Sequence, residues 1–212
     1  MKALIIGATG ATGKDLVNVL LQDPDYTEVI IFVRHHGKVP HPKLLEIVTD
    51  FDKPEEASES IRGDVLFSCL GTTLKAAGSK DKQWHIDYEM PLQFAEIAKR
   101  NGVTKIVLLS AYGASASSKV FYSQIKGKLE EAINRLQYNQ FIIFKPGLLL
   151  RKDTDRAGER ISAAVIKLLN NIGILRKFRP MPTSTLAVKM TKAPKVLPAA
   201  KHEIELDKIF KF

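Results

Sequence analysis

Lys2-Ala-Leu-Ile-Ile-Gly7-Ala-Thr-Gly10-Ala-Thr-Gly13-Lys14-Asp15-Leu16 passes from an apolar run into three evenly spaced glycines and straight on into a helical pattern. That order reads as a strand, a tight turn and a helix start. Gly7 permits the turn after the strand. Gly10 lets the backbone come close to a bound group, and Gly13 lets the helix pack on the strand. The N–H groups of the first helical turn have no partners within the helix and favour an anion. Ala11 lies in that turn, and Thr9 and Thr12 add hydroxyl donors. The arrangement is that of a loop holding the pyrophosphate of a dinucleotide.

The rest of the chain repeats the strand and helix alternation. Residues 3–6, 29–33, 45–48, 65–68, 106–109 and 141–144 are almost continuously apolar, as strands covered on both faces are. Helical patterns span 15–21, 91–100 and 120–136. The second begins with Pro91 in its first turn and stops before Asn101-Gly102. The prediction is an α/β fold, a doubly wound parallel Rossmann sheet with helices on both faces. Lys145-Pro146-Gly147 ends the sheet signal. Residues 150–212, with further helical patterns at 161–169 and 186–192, read as a small cap on a single domain of 1–212.

Composition narrows the function classes. A chain of 212 residues with 45% hydrophobic content can bury a full core. It has no apolar run of transmembrane length and no secretory pattern at its start. A single cysteine excludes an internal disulfide framework and is expected to fit a reducing, cytoplasmic setting. The net charge of +9 is spread along the chain and no nucleic-acid module is visible, so nucleic acid is not an expected partner. Part of the excess suits a polyanionic cofactor. His35, His36 and His41 match no metal-ligand spacing and read as a solvated loop.

The end of the second strand separates two cofactors. An NAD site wants an acid there to accept hydrogen bonds from the ribose. The chain instead has Val33-Arg34-His35-His36-Gly37, and Arg34 suits the extra phosphate of NADP(H). Further on, Ser110 ends the fifth strand, and Tyr122 and Lys126 stand one helical turn apart on the same face. A neighbouring ammonium makes a phenol a better acid. Tyr122 is therefore expected to exchange a proton with a carbonyl or alcohol oxygen, Lys126 to tune it and reach the nicotinamide ribose, and Ser110 to hold the substrate oxygen. Cys69 reads as a packing residue.

The chain resembles the atypical branch of the short-chain dehydrogenase/reductase superfamily, and within it the HTATIP2/TIP30-like NAD(P)-binding oxidoreductases. The matching segments are Gly7–Gly13, Arg34, Cys69-Leu-Gly-Thr-Thr73 with Ala77-Gly78, and Leu108-Leu-Ser110 with Gly113-Ala114. Tyr122-x-x-x-Lys126-Gly127 and Phe144-Lys-Pro-Gly-Leu-Leu149 complete the set. The resemblance implies NADPH contacts at Thr9, Gly10, Ala11, Thr12, Arg34, Leu70, Gly71, Tyr122, Lys126, Leu149 and Arg156. It implies Tyr122 as the acid/base. The chain departs from these relatives at Lys145, where they often carry arginine. Some members of the group regulate other proteins, so two functions are expected: an oxidoreductase of a small carbonyl or alcohol, or a non-catalytic NADPH-binding interaction protein. The sequence names no substrate, because the loop at 75–85 and the cap segment 150–182 would shape the pocket.

Overall fold

In the computed structural model, residues 1–37, 40–150 and 178–212 are described. The predicted strands are present, most of them longer by a residue or two: β1 (Lys2–Ile6), β2 (Glu28–Val33), β3 (Leu44–Val48), β4 (Val65–Ser68), β5 (Lys105–Leu109) and β6 (Gln140–Lys145). Two short strands follow, β7 (Leu149–Leu150) and β8 (Met181–Pro182), paired in parallel with each other. The last strand is β9 (Lys201–Glu205). The main sheet is parallel throughout, in the order β3-β2-β1-β4-β5-β6-β9. Crossovers leave β1 toward opposite edges, which opens a crevice outside the carboxyl ends of β1 and β4.

Strand β9 corrects the expectation that the sheet ends at Lys145. Its sequence, Lys-His-Glu-Ile-Glu, has one apolar residue, and only Ile204 is buried. An edge strand with one side open to water carries no apolar run. It is recruited by the backbone ladder with β6, from Phe141 beside Lys201 to Lys145 beside Glu205.

The α-helices among the described residues are α1 (Ala11–Gln22), α2 (Leu74–Ala77), α3 (Lys80–Trp84), α4 (Met90–Arg100), α5 (Phe121–Arg135), α6 (Thr183–Val196) and α7 (Asp207–Lys211). A single wide π turn, His85–Glu89, joins α3 to α4. Side chains alternate across the sheet, as the period of two requires. Ala3, Ile5, Val29, Ile31, Val65 and Phe67 face a layer holding Leu16 and Leu20 of α1 and Leu186 and Met190 of α6. Leu4, Ile6, Ile30, Phe32, Leu66 and Ile106 face Phe94 and Ala98 of α4 and Leu129 and Ile133 of α5.

The 150–212 stretch is expected to be a small cap packed against the sheet, not an independent domain. Its described part, 178–212, is woven into the main body. The Thr183 hydroxyl donates to Asp15 Oδ2 of α1 at 2.6 Å, and the Tyr26 hydroxyl donates to the Thr191 carbonyl at 2.9 Å. Lys195 bonds Asp23 at 2.6 Å and Asp25 at 2.7 Å. The helix predicted at 161–169 lies outside the described residues.

Candidate functional site

The glycine loop joins β1 to α1 at the crevice. Gly7 adopts φ +79°, and a Cβ on it would stand 2.6 Å from the Cys69 carbonyl carbon. A Cβ on Gly13 would stand 2.1 Å from the Gly7 oxygen. Both glycines are therefore demanded by the fold. Gly10 is not: a Cβ there would meet only the Gly7 oxygen, at 3.3 Å, and the residue is exposed. Gly10 is the N-cap of α1, no side chain caps the helix, and its first turn carries no acid. The backbone N–H groups of that turn are thus aimed at the crevice with no side-chain acceptor, as a phosphate site requires. Thr9 is exposed beside them, Ala11 is half-buried, and Thr12 is buried.

Arg34 follows β2 and is exposed, with no carboxylate partner among the described residues. The acid closest to this stretch in the sheet is Glu46 of β3. It accepts the Gly37 N–H at 2.7 Å and stands 3.5 Å from His36 Nδ1. Its carboxylate is thereby spent on the loop itself.

Leu70 and Gly71 follow β4, and here the loop meets α5. Lys126 is 2% exposed, and its ammonium donates to the Leu70 carbonyl at 3.1 Å. Tyr122, one turn earlier, is 40% exposed, with its ring centroid 6.0 Å from Lys126 Nζ. The structure thus brings Tyr122, Lys126, Leu70 and Gly71 together. The segment after β5 lies against the first turn of α5. A Cβ on Gly127 would stand 2.2 Å from the Ser115 carbonyl carbon, and the Ser115 N–H donates to the Ser123 carbonyl at 3.1 Å.

Ser110 is placed differently from the expectation. It is buried, and its hydroxyl donates to Glu130 Oε1 at 2.5 Å. Glu130 Oε2 pairs with Lys145 at 3.0 Å, and Lys145 pairs with Glu203 at 2.7 Å. Ser110 therefore ties β5 to α5 and is not a free hydroxyl at the cleft. Burial pushes the Glu130 carboxyl up despite Ser110 and Lys145. Burial also opposes the charge on Lys145, but its bonds to Glu203 and Glu130 prevail and hold the ammonium above its ordinary range. Lys145, where relatives were expected to carry arginine, is thus the hub of a structural network.

Two polar groups of the site escape the motif reading. Asp87, in the π turn, is wholly buried and accepts the Thr72 N–H at 2.7 Å. Its signal was an acid on the buried face that also carries Pro91, Phe94, Ala95 and Ala98. Burial pushes its carboxyl up, against Lys126, the Thr72 N–H and Gln83. Glu130 is the second, four residues after Lys126 on the same inner face of α5. Cys69 matches its expected packing role: burial pushes its thiol up to about 12. Leu149 is half-buried in β7, and Tyr112 meets Phe178 edge-on at 5.5 Å. Arg156 lies outside the described residues.

Residues 7–163 match the NAD(P)H-binding family. The chain is 35% identical over 160 residues to Protein HTATIP2 of Rattus norvegicus, covering 73% of this chain and 66% of that one. It is 35% identical over 191 residues to Protein FMP52-1, mitochondrial, of Scheffersomyces stipitis, covering 88% and 80%. With Protein FMP52, mitochondrial, of Saccharomyces cerevisiae it shares 32% identity over 158 residues, covering 73% and 68%. It thus spans about two thirds of the length of two of these relatives. Among solved structures, MoeE5 in complex with UDP-glucuronic acid and NAD superposes with a TM-score of 0.74 at 13% identity, covering 97% of this chain and 76% of that one. The oxidoreductase ylbE from Lactococcus lactis gives 0.59 at 23% identity, covering 73% of each. These two likenesses establish the fold. The fungal names correct the cytoplasmic expectation: these relatives are named mitochondrial. A single cysteine speaks to disulfides, not to compartment. No helix among the described residues is long and apolar enough to cross a membrane.

Proposed function

Because this chain belongs to the NAD(P)H-binding family and to the atypical short-chain dehydrogenase/reductases, we propose that it is an NADP(H)-dependent oxidoreductase of a small carbonyl or alcohol. The observation that carries this reading is Lys126. Its buried ammonium bonds the Leu70 carbonyl of the loop after β4 and stands 6.0 Å from the centre of the exposed Tyr122 ring.

The residues present fit the cofactor. The uncapped first turn of α1 and the exposed, side-chain-free Gly10 at its start suit a pyrophosphate. Arg34 suits the additional phosphate, and Glu46 is occupied by Gly37. Leu70, Gly71 and Leu149 would hold the nicotinamide end, and Lys126 its ribose. When bound, the cofactor supplies the hydride for the carbonyl carbon. Tyr122 donates its proton to the carbonyl oxygen, which becomes the alcohol, and recovers a proton from water at its exposed edge. In oxidation Tyr122, as phenolate, accepts the alcohol proton and returns to the phenol.

The test is turnover of NADPH over a panel of aldehydes, ketones and quinones. Tyr122→Phe should lower kcat about 100-fold or more while leaving NADPH affinity within a few-fold. Equal turnover by the variant would remove Tyr122 from the chemistry. NADPH should bind more tightly than NADH, and Arg34→Ala should erase about tenfold or more of that preference. An unchanged preference would assign the phosphate to another residue.

A second reading is a non-catalytic NADPH-binding interaction protein. It is favoured by the exposed apolar side chains on the segments around the crevice, Leu74, Tyr112, Val120 and Leu150. It requires a partner whose affinity changes with NADPH, since such coupling is reciprocal. A partner indifferent to the cofactor would rule it out.

A further inference from the structure

Glu46 is the one charged residue of β3, the edge strand beside β2. It is half-buried, whereas Leu45 and Val48 of the same strand are exposed, the reverse of what solvation alone dictates. A carboxylate withdrawn from water in this way needs donors. It finds them in the segment that follows β2. Glu46 Oε2 accepts the Gly37 N–H at 2.7 Å and stands 3.5 Å from His36 Nδ1. The other oxygen, Oε1, lies against the glycine itself: a Cβ on Gly37 would stand 2.6 Å from it. The carboxylate therefore occupies the space that a side chain on residue 37 would take.

That contact closes a short loop that begins at Arg34. Register sets Val33 beside Val48 and Ile31 beside Glu46. The Thr49 N–H donates to the Val33 carbonyl at 2.9 Å and keeps the last residue of β2 in the ladder. The chain leaves the sheet at Arg34 and is caught again at Gly37. Segment 34–37 is thus pinned at both ends. Unpinned, it would spread the guanidinium over many positions, at an entropic cost to any ligand that gathers it in. The pin also answers an electrostatic difficulty. A free carboxylate beside a phosphate-binding arginine competes for the guanidinium and repels the phosphate. Bonded to Gly37, the Glu46 carboxylate is engaged elsewhere, and Arg34 is left exposed with no carboxylate partner among the described residues.

We propose that Glu46 is the positioning residue for cofactor selectivity in this chain, a role that rests on the reading of Arg34 as the ligand of the additional phosphate. By holding Gly37, Glu46 fixes the 34–37 segment in the form that presents Arg34 to that phosphate. It acts through the backbone and not by touching the cofactor. Its effect is therefore confined to the adenosine phosphate, and the pyrophosphate loop and the Tyr122–Lys126 pair are left alone. NADH, which lacks the phosphate, is the internal control.

Dissociation constants of NADPH and NADH, read from the fluorescence of the reduced nicotinamide on the full chain, give their ratio for each variant. Glu46→Ala should lower the preference for NADPH about tenfold, with NADH binding held within about twofold. Glu46→Gln, whose amide oxygen can accept the Gly37 N–H, should keep most of the preference. A preference unmoved or raised by Glu46→Ala, or lost equally in both variants, overturns the proposal. If Glu46→Ala fails to fold, Gly37→Ala decides. Gly37 is outside the left-handed region, so the backbone accepts alanine, but the new methyl must push the carboxylate away. It should lower the preference as Glu46→Ala does, and an unchanged ratio overturns the proposal. Arg34→Ala tells a failed clamp from a failed phosphate ligand. If Arg34→Ala leaves the preference intact, another residue reads the phosphate and both readings fall. If it erases the preference while Glu46→Ala does not, Arg34 stands and the clamp falls. In the Arg34→Ala background, Glu46→Ala should change the ratio by less than about twofold. An undiminished effect there overturns the proposal, since Glu46 would then act by another route.

Discussion

Gly10 and Gly13 stand three residues apart and answer to different demands. At Gly13 the Gly7 oxygen would lie 2.1 Å from a new Cβ, so Gly13→Ala must push α1 away from β1. We expect a loss of about 3 kcal/mol or more, seen as a fall in the denaturant midpoint. At Gly10 a new Cβ would meet the Gly7 oxygen at 3.3 Å, a contact relieved by a shift of a few tenths of an ångström, so Gly10→Ala should melt within a few degrees of the parent yet bind NADPH at least tenfold more weakly. A parent-like affinity would show that the loop does not approach the cofactor there. Both glycines are equally conspicuous in the chain. Which serves folding and which serves binding is read only from what surrounds them. Ser110 makes the same point. Its place at a strand end was legible, but the Glu130 that accepts its hydrogen bond sits twenty residues away on a helix face.

At the scale of elements, the Ser110–Glu130–Lys145–Glu203 network fastens β5, α5, β6 and β9 to one another. Lys145→Met leaves Glu130 buried without its cation and should cost about 3 kcal/mol, while pairing it with Glu130→Gln should restore much of the loss. Chemical denaturation of the three variants measures both. The network also predicts an acid response. Bonds to Lys145 and Lys201 hold the Glu203 carboxyl below its ordinary range. Such a group adds stability above the pKa it has in the unfolded chain, and that contribution is lost as pH falls through the lowered value. Glu203 is more than a third exposed, so its share is under about 1 kcal/mol. Glu130, pushed up by burial, has the opposite slope: it favours the fold at low pH and gives that up as pH rises. Removing Glu203 as Glu203→Gln should therefore lessen the loss of stability between roughly pH 5 and pH 3 by under about 1 kcal/mol. An unaltered acid limb would assign it to other carboxylates.

For the whole molecule, the C-terminal segment is a working part of the sheet. Every residue of β6 is buried, and β9 supplies its outer neighbour. Ile204, Leu206 and Ile209 are buried with it, worth about 1.5–3 kcal/mol each. Together they approach the total stability of a domain. A chain ending at residue 200 should be insoluble or lack a cooperative melt; a soluble, cooperatively melting product would show that β6 tolerates being an edge.

The six apolar strands, the helices α1, α4 and α5 and the glycine loop follow from local order alone, because continuous burial and helical periodicity are written residue by residue; the short α2 and α3, in a stretch that reads as a loop, do not. Those signals determined the doubly wound fold, and the spacing of Tyr122 and Lys126 determined that they share a face. Tertiary structure decided the remainder. It made Lys-His-Glu-Ile-Glu a strand by offering it the open ladder of β6, which no side-chain pattern announces. It turned Ser110 inward to Glu130, and it brought Asp87 beside Lys126 across thirty-nine residues of chain. Buried charges find their partners through space, so their pairing is visible only once the chain is packed.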